Sequence, residues 1–94
     1  MVNRMMTQED LERILLGWDY LEGEMVTAPE LTNAQLVTLK NIFGKAKLLA
    51  GLREYQQSSI HMSYDKTMSR PEQLKYGHDV EKLQSKIEYI KNYR

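Results

Sequence analysis

Apolar residues recur along this chain at alternating spacings of three and four, the pattern of helices that each bury one stripe. Leu11, Ile14, Trp18, Leu21 and Met25 form the first seam, and Leu15 widens it. Leu36, Leu39, Ile42, Phe43, Ala46, Leu49, Ala50 and Leu52 carry the second. Tyr76, Val80, Leu83, Ile87 and Ile90 carry the third. The one alternating stretch, Ile60, Met62 and Tyr64, has no second strand to pair with. An all-α chain is therefore expected, and 94 residues make it a single domain over 1–94.

Local signals set the expected boundaries. Thr7 is suited to cap the first helix, and Glu9 and Asp10 in its first turn suit the positive end of the helix dipole. Glu9 and Arg13 are spaced for an i,i+4 pair. Gly23 and Pro29 close that segment. Thr32-Asn33-Ala34-Gln35 is a capping box for the second helix, and Ser69-Arg70-Pro71-Glu72 is one for the third. Helices are thus expected near 8–24, 33–57 and 70–92, with a connecting loop over 58–69.

Charge is divided along the chain. Residues 1–31 hold seven acidic and two basic side chains, whereas residues 32–94 hold eleven basic and six acidic ones. With Val80 and Ile87 at heptad position a, and Leu83 and Ile90 at d, Lys86 and Lys91 flank the third seam. Asp10, Glu22 and Glu24 flank the first. Opposite flanks suit each other, so the first helix is expected to pack on the third. This pairing is expected within one molecule, with pairing between subunits as the alternative. The expected architecture is a three-helix bundle, or a helical hairpin with an N-terminal helix, assembling into a helical oligomer. The packing residues are Leu11, Trp18, Leu83, Ile87 and Ile90. Gly44 and Gly51, seven apart, are read as one helix face open to close approach.

Reactive chemistry finds little to work with. His78 and Glu81 share a helix face but lack the further ligands of a metal site. Ser58, Ser59, His61 and Asp65 name the residue types of a hydrolase triad, yet they crowd into one expected loop. Neither a calcium loop nor a glycine-rich phosphate loop occurs. Catalytic, metal and cofactor sites are therefore not expected. There is no cysteine, and the longest apolar runs are three residues, far short of the ~20 that cross a bilayer. Met1–Met6 carry Arg4 and no following apolar region, so no signal peptide and a cytoplasmic location are expected.

The function expected from these features is non-enzymatic binding of another macromolecule, a protein, with self-association. The size and style are those of accessory, regulatory and inhibitor-type proteins, bacteriophage proteins included. The expected partner-binding residues are Lys86, Tyr89, Tyr93 and Arg94, with His61 and Tyr64 as a second surface. Lys75, Lys82, Lys86, Lys91 and Arg94 interleaved with tyrosines make nucleic acid the alternative partner, against a net charge of zero. A small-ligand-binding helical oligomer is the second alternative. Asp79, Glu81 and Glu88 break the basic face that a membrane surface would need.

Overall fold

The computed structural model describes residues 7–93. Four α-helices lie among them: α1 (Gln8–Leu15), α2 (Asn33–Phe43), α3 (Lys45–Ser63) and α4 (Arg70–Lys91). A short 3-10 turn, Ala28–Glu30, precedes α2. The expectations for Met1–Met6 and Arg94 lie outside the described residues.

The first helix is shorter than its seam implied. Thr7 caps it reciprocally: its hydroxyl accepts from the Asp10 N–H at 3.2 Å, and the Asp10 carboxylate accepts from the Thr7 N–H at 2.9 Å. At the other end Gly17 takes φ +77°. The Gly17 N–H donates to the Ile14 carbonyl at 3.0 Å and the Trp18 N–H to the Arg13 carbonyl at 2.9 Å, a complete Schellman stop. The 3-4 spacing continues past this stop, but the helix does not. Leu21 reaches the core from a tight turn, in which Leu21 and Glu24 exchange backbone hydrogen bonds of 2.7 and 3.0 Å. Trp18, expected in the packed seam, is instead 70% exposed.

The second predicted helix is two helices. Gly44 stands between α2 and α3 with φ +93° and ψ 153°, a conformation essentially restricted to glycine. The break resets the phase of the buried stripe. α2 buries Leu36, Leu39 and Phe43 and leaves Ile42 exposed, while α3 buries Leu48, Gly51, Leu52 and Ser59. Gly44 is therefore a hinge in the chain and not a packing face: a β-carbon there would meet nothing within 4 Å.

Half of the predicted loop is helical as well. α3 runs through Ser63, so residues 58–63 belong to it. The remaining connection is held by the Asp65 carboxylate, which accepts from the Thr67 N–H at 2.9 Å and its hydroxyl at 2.7 Å. Pro71 lies in the first turn of α4. The Ser69 hydroxyl donates to Glu72 at 2.9 Å and does not accept from a backbone N–H, so the predicted box forms only in part.

α3 and α4 form an antiparallel hairpin. Gln56 spans it by donating to the Val80 carbonyl at 3.2 Å and the Gln84 amide oxygen at 2.9 Å. Lys45 and Tyr93 close the far end, where the lysine ammonium donates to the Tyr93 carbonyl at 3.0 Å. α1 rests on α3, with Gln8 donating to the Lys47 carbonyl at 3.2 Å. Leu11, Leu15, Leu36, Leu39, Leu48, Leu52, Leu83 and Ile90 are fully buried where these elements meet. Each contributes about 1.5–3 kcal/mol by leaving water.

The predicted pairing of the first helix with the last within one molecule is corrected by this arrangement. What meets α4 from the acidic segment is the 3-10 turn, where Glu30 pairs with Lys82 at 3.0 Å. α1 goes to α3 because Gly51 offers a surface without a side chain. A β-carbon there would lie 2.9 Å from Leu15 Cδ1 and 3.4 Å from Leu11 Cδ2.

Candidate functional site: a cleft at the end of α1

Because Gly17 stops α1 at Leu15, the second half of α3 runs on without a neighbour on that side. A cleft of about 430 Å³ lies there. α1 supplies Glu12, Leu15 and Leu16 to its wall. α3 supplies the floor, from Gly51 through Tyr55 and Ser59 to Met62, a continuous i, i+4, i+8, i+11 stripe that extends past the core. Tyr76 of α4 closes the opposite side. The volume falls in the range of ligand-sized pockets, and the lining is mainly apolar and aromatic.

Polar groups sit at defined places around it. Glu12 of α1 and Glu54 of α3 both border the cleft. The neighbouring Glu54 carboxyl, whose hydrogen bonding favours the protonated form and whose charge repels the ionised one, pushes the Glu12 pKa up, with smaller contributions from desolvation and Glu9. Half-buried Tyr55 is also raised, first by burial, then by the nearby Asp79 and Tyr76; a hydrogen bond from Thr27 opposes this. Thr27 also forms a backbone bridge with Leu16 at the end of α1.

Leu16 and Trp18 continue the apolar surface outward. Leu16 is 43% exposed and also lines a smaller recess with Glu9, Glu12, Arg13 and Trp18. The rim therefore presents a leucine and an indole on a loop fixed by the Schellman hydrogen bonds. Trp18, read in the sequence as buried packing, thus stands beside the cleft.

The expected binding residues are placed elsewhere. Tyr89 packs against the core, with its ring centre 5.8 Å from that of Tyr93. The Tyr93 ring lies under the Lys40 ammonium, 5.3 Å from its centre. Both rings are thus engaged within the molecule, not presented as a free face. Lys86 is part-buried, and that burial lowers its pKa. His61 is exposed near the end of α3, and Tyr64 just beyond it is 79% exposed. Leu83, Ile87 and Ile90 are core.

The triad-like set separates. Ser58 and Ser59 line the cleft, His61 is not part of the lining, and Asp65 is committed to Thr67. His78 and Glu81 are both exposed on α4. Among the described residues no group of three or more histidine, aspartate and glutamate side chains is placed to hold a metal ion. No described helix is long and apolar enough to cross a membrane.

Sequence reasoning missed Glu54, Tyr55, Met62 and Leu16 as site residues. Tyr55, Ser59 and Met62 carried a usable signal, namely the helical spacing that continues from Gly51. Glu54 carried none, because its neighbour Glu12 comes from another helix. The chain matches no protein-family model, no curated protein and no solved structure.

Proposed function

We propose that this chain is a non-enzymatic interaction protein whose docking surface for a protein partner is the cleft between α1, α3 and α4, extended by Leu16 and Trp18. The observation that carries this reading is Trp18. A tryptophan 70% exposed beside an apolar cleft, on a loop held by backbone hydrogen bonds, has the character of an interface anchor. Its side chain contributes little to the core, so a role at the surface accounts for it better than stability does. The engagement of Tyr89 and Tyr93 inside the molecule speaks against a stacking platform for nucleic acid on α4.

The test uses a photo-reactive amino acid placed at position 18 or 62, with position 78 on α4 as control. Crosslinking in the native cell should give one protein product at the first two positions and none at the control. That product, once purified, should lose binding to the Leu16→Asp variant while the variant keeps its melting temperature. Equal crosslinking at all three positions, or unchanged binding by Leu16→Asp, would overturn the reading. Light scattering of the purified chain across a dilution series covers the case of a second copy as partner, with 11.1 kDa as the mass of the monomer.

A further inference from the structure

We propose that the cleft seats a basic segment of the partner, with one lysine or arginine laying its aliphatic stem on the apolar floor and its charged head between Glu12 and Glu54. This rests on the docking surface proposed above and names what that surface selects. The two carboxylates border the same cleft from different helices, and no basic residue is among its lining. Arg13, next to Glu12 in sequence, lines a neighbouring recess that Glu12 also borders, and is not part of the cleft lining. Lys75 on the α4 side is stacked on Tyr76, 6.0 Å from the ring centre, and is not part of the lining either.

The charge pattern selects among occupants. Two like charges held together by the fold repel, and a cation between them converts repulsion into two charge-assisted hydrogen bonds. An acidic segment would add a third negative charge and is rejected, which gives specificity as well as attraction. The apolar floor fits the same partner. Long cationic side chains cover apolar surface with their methylenes while the head stays polar, and Leu15, Met62 and Tyr76 provide that surface. A cleft of about 430 Å³ holds such a side chain together with an apolar neighbour one helical turn away, which Leu16 and Trp18 would meet at the rim.

The probe is a short amphipathic helical peptide with one central lysine between leucines one turn to either side, and its glutamine and glutamate counterparts. Each is titrated into the full chain while backbone amides are followed by NMR. The lysine peptide should move the amides of Leu16, Tyr55, Ser59 and Met62 and bind about tenfold tighter than the glutamine peptide. The glutamate peptide should be weaker still. In the Glu12→Gln, Glu54→Gln double variant, checked for fold by its amide dispersion, the preference for lysine should vanish. Equal binding of the lysine and glutamine peptides to the cleft would sink the cationic inference while leaving the docking surface standing. Failure of all three peptides to move the cleft amides would remove both. Cleft amides that shift on dilution of the chain alone would make a second copy the occupant and overturn the assignment to a basic partner.

Discussion

The Cδ1 methyl of Leu15 lies 2.9 Å from where a β-carbon on Gly51 would stand. This contact decides where α1 lies, and with it where the cleft opens. Alanine at position 51 adds helix propensity, worth about 1 kcal/mol, and pushes Leu15. Leu15 also borders the cleft and has room to turn into it. Gly51→Ala should therefore be near neutral in urea unfolding and should narrow the cleft. Gly51→Val leaves Leu15 and Leu11 no such escape and should cost about 1–3 kcal/mol. Its α1 amides should exchange faster than those of α4. Unchanged exchange in α1 would contradict the contact.

Two glycines should respond to alanine in opposite directions. Gly44 holds φ +93° at the junction of α2 and α3, so Gly44→Ala should destabilise by about 1–3 kcal/mol. Gly77 is interior to α4, with nothing within 4 Å of a built β-carbon and no positive φ. Gly77→Ala should stabilise by up to about 1 kcal/mol. Denaturant midpoints of the two variants check both signs together.

Glu12 should make the protein respond to acid in a particular way. A carboxyl whose pKa is raised by folding binds its proton more readily in the native state. Its unfavourable contribution at neutral pH is relieved as pH falls through the raised value. Glu12→Gln should therefore raise the melting temperature at about pH 7, and this advantage should shrink by about pH 4. An advantage that does not change with pH would mean the Glu54 carboxyl is not its neighbour in solution.

Glu30 and Lys82 should act in the other direction. The salt bridge lowers the Glu30 pKa and raises that of Lys82. The stability it adds is present at neutral pH. That stability is lost as pH falls from the ordinary glutamate value through the lowered one, or rises through the raised lysine value. Both side chains are exposed, so the coupling measured by a double-mutant cycle with alanines should be small and should fade at high salt. A coupling that persists at high salt would indicate a more buried contact.

Local chemistry made the helices legible. Thr7, Thr32 with Gln35, and Pro71 announce helix starts through groups within three or four residues of each other, so each can be read along the chain. The α4 stripe Leu83, Ile87 and Ile90 was readable for the same reason. Helix ends were harder. The seam through Trp18 to Met25 kept helical spacing after Gly17 had already turned the chain, because burial at Leu21 only requires an inward-pointing side chain. Gly44 was read as a packing face because spacing alone does not distinguish a glycine in a helix from one that breaks it.

By itself, then, the sequence determined that the chain is helical, where α1, α2 and α4 begin, and which leucines and isoleucines of α4 are inside. These follow from interactions between residues a few positions apart. Only the tertiary structure decided that α1 lies on α3, that Glu12 meets Glu54, and that a cleft opens beside Trp18. Those depend on how far one helix extends beyond another and on which faces meet. Side-chain volume at Gly51 and Leu15 settles that in three dimensions, and no spacing along the chain encodes it.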